Sequence, residues 1–300
     1  MLLSAFIDRG IKALEPLYPR DEARQMVLML CEELLGIKNY THIVNPHYQI
    51  SEQDGELLLG KLDSLSRGMP LQYALGYADF CSFRFNVTPA VLIPRPETEL
   101  LVKEALEQAG RISRMRAAYG KNAQKVKVLD LCTGSGCIAW SIALSLPGAE
   151  VVATDISEEA LQVARTQPFG AELKSRQAMA PEFVLSDILD TEQEFPYGPF
   201  DIILSNPPYI LPSEKEAMRP NVLDYEPHTA LFAPQEDPML YYRAIARWSQ
   251  RLLSAEGKGI TEINEQLADA SGAVFREAGY SQTEVIKDFF YKNRFVLYYK

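Results

Sequence analysis

The stretch VKVLDLCTGSGCIAWSIALSLPGAEVVATD, residues 126–155, decides the fold. It opens on an apolar β-type run, turns through Gly134 and Gly136, continues into the apolar segment CIAWSIALSL and ends on a second β-type run closed by Asp155. The same alternation goes on in both directions. Upstream lies PETELLVKEALEQAG (96–110), where Pro96 sits at a first helical turn and Glu97 and Glu99 meet the positive end of the helix dipole. Downstream lie EFVLSD (182–187), FDIILS (200–205), GKGITEI (257–263), TEVIKDF (283–289) and RFVLYY (294–299), most of them separated by helical stretches. This pattern predicts an α/β fold with a seven-stranded, doubly wound sheet whose ligand lies beyond the carboxyl ends of the strands. Only Phe290, Tyr291, Lys292 and Asn293 separate the last two strands, too few for a parallel crossover, so the final strand is expected to run antiparallel to its neighbour.

Ahead of this region the pattern is helical. An amphipathic stretch from Ser4 to Leu14 is closed by Pro16 and Pro19; Asp21 is placed to cap DEARQMVLMLCEELLG, which Gly36 stops; Ser51 opens SEQDGELLLGKLDSLSRG. Between the two regions the runs FCSFRFNV and AVLI, separated by Thr88-Pro89, predict a connecting β-hairpin. The expected division is therefore a helical domain over 1–76, a hairpin linker over 77–93 and an α/β domain over 94–300.

A formal charge of −10 argues against stable binding of nucleic acid through its phosphates. The run RISRMRAAYGKNAQK (111–125) is locally basic and reads either as a contact for RNA or an acidic partner, or as a solvated linker. Cys31, Cys81, Cys132 and Cys137 form no metal-ligand or disulfide pattern, so no metal is expected. No apolar run approaches the ~18 residues of a membrane span, and a cytoplasmic monomer without membrane contact is the expectation.

Four sites at the ends of successive strands carry chemistry. The turn after the first strand, Cys132, Thr133, Gly134, Ser135 and Gly136, brings backbone N–H groups and a helix N-terminus toward a cofactor, although GxGxxG is not met. Asp155 follows about 20 residues later, where a carboxylate accepts hydrogen bonds from ribose hydroxyls. Asp187, ending the third strand, is placed either to face an adenine edge or to form a surface turn. The fourth strand stops abruptly at Asn206-Pro207-Pro208-Tyr209. A planar amide nitrogen has two N–H donors and a delocalised lone pair, so it is a poor nucleophile. The Asn206 side-chain oxygen and the Pro207 carbonyl can bind both hydrogens and aim the nitrogen, while Tyr209 offers an aromatic face to the flat group.

At these residues the chain resembles the class I S-adenosylmethionine-dependent methyltransferases, and within them the peptide-chain release factor N5-glutamine methyltransferases of the HemK/PrmC family. Besides DLCTGSG and NPPY, the resemblance extends over LIPRPETE (92–99), MPLQYALGYADF (69–80), YEPHTAL (225–231) and ITEINEQ (260–266). It implies a small helical substrate-recognition bundle joined by a β-hairpin to a seven-stranded methyltransferase domain. It also implies that Cys132 to Gly136 cradle the methionine part of S-adenosyl-L-methionine, that Asp155 binds its ribose, and that Asp187 and Ile188 flank its adenine. Asn206, adjoining the cofactor, and Pro207 would be the catalytic pair holding the substrate amide, with Pro208 and Tyr209 shaping the pocket. The implied reaction methylates the glutamine of a Gly-Gly-Gln motif in a peptide-chain release factor and yields S-adenosyl-L-homocysteine. Another protein glutamine, or an exocyclic amine of DNA or RNA, is the alternative acceptor. The family usually has glycine where this chain has Cys132, and the roles of Arg95, Glu97 and Thr98 are left to the pocket wall or the domain junction.

Overall fold

A strand covered on both faces carries an unbroken apolar run, and Val128-Leu129 and Ile202-Ile203-Leu204 supply one to each of two central strands. The computed structural model describes residues 1–120 and 124–300. Its large sheet contains β3 (Lys127–Leu131), β4 (Glu150–Asp155), β5 (Glu182–Leu185), β6 (Phe200–Ser205), β7 (Leu253–Glu262), β8 (Gln282–Lys287) and β9 (Asn293–Tyr299), following a two-stranded hairpin of β1 (Tyr77–Phe80) and β2 (Phe83–Asn86). The order across the sheet is β5-β4-β3-β6-β7-β9-β8. The first five of these run parallel, and β9 lies antiparallel between β7 and β8. Chain direction reverses after β5, when β6 returns to the other side of β3, and a crevice opens at the carboxyl ends of that pair.

Alternate residues of each strand enter different layers. Val128, Ile202, Leu204 and Ile260 pack with Leu101, Val102, Ile138 and Ile142 from helices Glu99–Ala118 and Cys137–Ser145. Leu129, Leu131, Ile203 and Val296 face the other way, onto Ile245, Trp248 and Phe275 of helices Leu240–Leu252 and Ala268–Glu277. Burying one such side chain contributes roughly 1.5–3 kcal/mol. On β7, Gly259 lies opposite Tyr298 of β9, and a Cβ there would fall 2.0 Å from the Tyr298 ring. That ring stacks on Phe275 with centroids 3.9 Å apart, so glycine is what lets the two strands keep this pairing.

The chain divides into two compact units, Met1–Tyr77 with Arg219–Tyr225, and Ala78–Met218 with Glu226–Lys300. In the helical unit, Leu3–Leu14, Arg20–Leu35 and Glu52–Ser66 surround a core of Phe6, Leu14, Val27, Leu30, Leu58 and Leu65. Ser51 caps the third of these by accepting from the Asp54 N–H at 3.1 Å. Asp21 does not cap the second. Pro19 occupies that position, and Asp21 and Glu22 lie in the first turn. The late segment Arg219–Tyr225 belongs to this unit through an Arg219–Glu22 ion pair of 2.8 Å and a 2.9 Å bond from the Tyr225 hydroxyl to the Arg67 carbonyl.

Other local expectations are corrected. The hairpin turns at Cys81-Ser82, both at positive φ (50° and 66°), and not at Thr88-Pro89; AVLI forms no strand. Two left-handed residues in a two-residue loop match the right-handed twist of the flanking strands. The first part of the basic run is not a linker, since helix Glu99–Ala118 takes in residues 111–118. Arg116 is buried and pairs with Asp201, whose carboxylate also accepts from the Lys127 N–H at 2.9 Å, and Lys125 pairs with Glu150 at 3.3 Å. Lys121 lies outside the described residues.

Candidate active site

Three left-handed residues shape the turn after β3, Cys132 (φ 63°), Gly134 (φ 55°) and Gly136 (φ 79°). The Thr133 N–H donates to the Thr154 carbonyl and its hydroxyl to Asp130 Oδ2 at 2.6 Å, which ties the turn to two neighbouring strands. The two glycines serve different needs. A Cβ on Gly136 would press on Ala164 and Trp140 at 3.0 Å, so this residue lets helix and strand approach closely. Nothing lies within 4 Å of the Cβ position of Gly134, which faces an open cavity.

That cavity occupies the crevice at the strand ends. Cys132, Thr133, Gly134 and Ser135 line it, together with Asp155, Asp187, Ile188, Asn206 and Pro208. Gly136, Pro207 and Tyr209 do not. Asp155 accepts from the Gly134 N–H (2.8 Å, Oδ2) and the Ser157 N–H (3.0 Å, Oδ1), and each carboxylate oxygen keeps a lone pair for a hydroxyl. Burial pushes its carboxyl up, against the pull of those two N–H groups. Asp187 follows β5 by two residues and holds its own loop by accepting from the Leu189 N–H at 2.8 Å; the Ile188 carbonyl is anchored by Trp248 Nε1 at 2.9 Å. Ile156, 63% exposed beside Asp155, adds an aliphatic face to the rim. Burial also holds the Cys132 thiol far above its usual range, so it is neutral.

On the opposite side, two of the motifs distant in sequence meet. Glu226, of YEPHTAL, takes the Arg95 guanidinium at 2.6 Å and the Ile93 N–H at 3.1 Å, which holds the LIPRPETE strip as a cavity wall. Asn206 leaves the end of β6 and its Nδ2 donates to Thr98 Oγ1 at 3.3 Å. Among the described residues, neither Asn206 Oδ1 nor the Pro207 carbonyl accepts a hydrogen bond. Tyr209 is half-buried, and its hydroxyl donates to Glu262 Oε1 at 2.9 Å while its carbonyl accepts from Asn264 Nδ2 at 3.3 Å. Ile210 then bonds to Leu231 and Ala233, closing the segment.

Sequence reasoning did not single out Asp130, Ile156 or Glu262. In the sequence Asp130 stands only at the head of the glycine turn, and Glu262 only within ITEINEQ. The signal that finds Glu262 is its register, at the end of a strand beside the one that delivers Asn206.

Comparison with known proteins agrees with this geometry. The chain matches the family described as "Methyltransferase domain" over residues 122–277. It is 38% identical over 283 residues to a release factor glutamine methyltransferase of Bacteroides thetaiotaomicron, covering 94% of this chain and 95% of the relative. A protein of the same name from Flavobacterium psychrophilum is 33% identical, covering 99% and 98%, and one from Chlorobaculum tepidum 34%, covering 90% and 87%. Among solved structures, the hMettl16 catalytic domain superposes with a TM-score of 0.51 at 13% identity, over 81% of this chain and 82% of that one. The seven-stranded mixed sheet is thus a methyltransferase fold, as the sequence resemblance implied.

Proposed function

The chain belongs to the release factor glutamine methyltransferase family, and we propose that it methylates the side-chain amide nitrogen of the glutamine in the Gly-Gly-Gln motif of a peptide-chain release factor, with S-adenosyl-L-methionine as donor. The observation that carries this reading is the pair of unengaged acceptors, Asn206 Oδ1 and the Pro207 carbonyl, at the end of one strand beside the cavity.

The cavity fits the donor. Its turn is open above Gly134, Asp155 keeps acceptor capacity for a ribose, and Ile156 and Ile188 offer apolar faces for a flat base. Behind the turn, buried Asp130 accepts from the Thr133 hydroxyl and holds the cradle's shape. Cys132, Thr133, Gly134 and Ser135 would hold the methionine part, while Gly136 acts through packing. When bound, the donor supplies an electrophilic methyl group on a positively charged sulfur.

The protein's share is orientation. Asn206 Oδ1 and the Pro207 carbonyl accept the two N–H bonds of the glutamine amide and aim its nitrogen along one line. Polarising both N–H bonds raises electron density on that nitrogen, and apolar walls including Pro208 keep water from competing for it. No protein base is required, since the nitrogen becomes acidic once methylated and loses its proton. Tyr209, fastened through its hydroxyl, stiffens the clamp and offers the exposed part of its ring to the acceptor. The helical unit is assigned recognition of the release factor, with Tyr40, Ile43 and Val44 as its exposed apolar edge.

Incubating the protein with methyl-labelled S-adenosylmethionine and, in separate reactions, release factor, ribosomal protein and DNA tests the reading. Mass spectrometry is expected to find N5-methylglutamine in the Gly-Gly-Gln tryptic peptide alone. Label confined to nucleic acid or to a ribosomal protein overturns it.

A further inference from the structure

The carboxamide of Asn206 has two ends of opposite character, and the one that faces the cavity decides what the site can hold. Only the oxygen end is suited to the N–H groups of an amide. Nothing in the Asn-Pro-Pro-Tyr sequence itself chooses between the ends.

The choice is made by a chain of buried contacts. Asn206 Nδ2 donates to Thr98 Oγ1 at 3.3 Å, and Thr98 Oγ1 donates to Glu262 Oε2 at 2.7 Å. The other carboxylate oxygen, Glu262 Oε1, accepts from the Tyr209 hydroxyl at 2.9 Å. Thr98 and Glu262 are 2% and 1% exposed, so water does not compete for these positions. A threonine hydroxyl has a single hydrogen. Once that hydrogen is committed to a carboxylate, only lone pairs remain, and the neighbouring group must be a donor. The NH2 of Asn206 is thereby held against Thr98, and Oδ1 is left for the cavity.

The fold itself brings these groups together. Ser205 of β6 is registered with Thr261 of parallel β7, so Asn206 and Glu262, one residue further along each strand, lie at adjacent strand ends. Thr98 ends the short helical turn Pro96–Thr98 that leads into helix Glu99–Ala118. Burial raises the Glu262 carboxyl, while the Thr98 and Tyr209 hydroxyls and then the Arg294 guanidinium pull it back.

We infer that Glu262 and Thr98 are positioning residues which fix the polarity of the Asn206 carboxamide, making the site an acceptor of N–H groups and so selecting an amide over a carboxylate. This rests on the reading that Asn206 holds the acceptor amide. A packing role alone would make all substitutions at Thr98 alike in proportion to lost volume. A polarity role separates them by hydroxyl.

Two measurements on the full chain test the inference. In single-turnover methylation of release factor, Thr98→Val keeps the shape but removes the hydroxyl, and is expected to lower kcat on the order of tenfold to a hundredfold. Cofactor KM should barely move, the unfolding temperature should fall because a buried Glu262 oxygen loses its donor, and Thr98→Ser should restore most of the rate and the stability. In an Asn206→Ala background the Thr98→Val effect should vanish, because the group it orients is gone. Glu262→Gln, able to present either an oxygen or an NH2 to Thr98, should lose rate in the same coupled way. The second measurement needs no substrate. In protein labelled with 15N-asparagine, the Asn206 side-chain NH2 resonances should shift in Thr98→Val and stay in place in Thr98→Ser. Wild-type kcat in Thr98→Val, full additivity with Asn206→Ala, or unmoved NH2 resonances overturns the inference. If wild-type protein labels no release factor, the proposed function fails, and the resonance comparison still decides the positioning role.

Discussion

At the scale of single residues the site combines strain, buried charge and unused acceptors. Cys132 holds a left-handed conformation that costs a side-chain-bearing residue roughly 1–2 kcal/mol and glycine little. Glycine also has more freedom to lose from the unfolded chain, which offsets part of the gain. Cys132→Gly is therefore expected to raise unfolding free energy by about 0.5–1 kcal/mol in denaturant titration and to keep methyl transfer; a clear loss of stability would mean that the thiol's packing outweighs the strain. Asp130 titrates in a useful window. Burial foremost pushes its carboxyl up to about 7, against the Thr133 hydroxyl. In the unfolded chain the same group ionises near about 4, so between about 4 and about 7 the folded state holds the extra proton. Stability of the ligand-free protein should consequently fall as pH rises through that window, and Asp130→Asn should flatten the profile in denaturation series at pH values on either side. For Asn206, removing one aligned acceptor costs on the order of 3–4 kcal/mol of transition-state stabilisation. Asn206→Ala should lose a hundredfold to a thousandfold in kcat, read by initial rates of label incorporation, roughly the size seen for a lost oxyanion donor; near-normal turnover would remove Asn206 from the mechanism.

At the scale of elements, what could be read from sequence depended on whether the signal was local. The parallel strands announced themselves through short apolar runs inside buried strands, Val128-Leu129 in β3 and Ile202-Ile203-Leu204 in β6. Helix Glu52–Ser66 carried its own start and stop in Ser51 and Gly68. The turn of the β1–β2 hairpin was hidden because Cys81-Ser82 lacks the Asn-Gly type of signal that left-handed pairs usually carry, and Thr88-Pro89 looked more like a turn. The basic run misled for a different reason. Counting charge along 111–125 says nothing of Asp201, which lies more than eighty residues from Arg116 and neutralises it in the interior. The contact between Gly259 and Tyr298 gives the sharpest test at this scale. Gly259→Ala pushes a methyl group into a ring that is fully buried and stacked on Phe275. A loss of about 1–3 kcal/mol or more is expected in chemical denaturation, with β7, and Glu262 at its end, disturbed; an unchanged midpoint would mean that β7 and β9 separate more easily than their register implies.

At the scale of the whole molecule, the cavity wall proposed to hold the donor was the more legible, because Cys132–Ser135, Asp155 and Asp187 sit at strand ends that the alternation of elements already orders. The positioning of Asn206 was not, since Thr98 and Glu262 come from segments 108 and 53–56 residues away that only the folded sheet brings together. The membership of Arg219–Tyr225 in the helical unit was likewise beyond any local pattern. The sheet order carries one more consequence. Strand β9, residues 293–299, lies inside the sheet, and β8, made before it, lies at the edge. During synthesis, then, β7 waits with an open flank while β8 emerges with no partner, and only when the stretch around Phe295 to Tyr298 has left the ribosome does the segment bearing Glu262 gain its second neighbour. The proposed clamp is among the last parts of the molecule to become rigid, and a nascent chain interrupted before residue 293 has every residue of the Asn206 site but not the strand that holds it still.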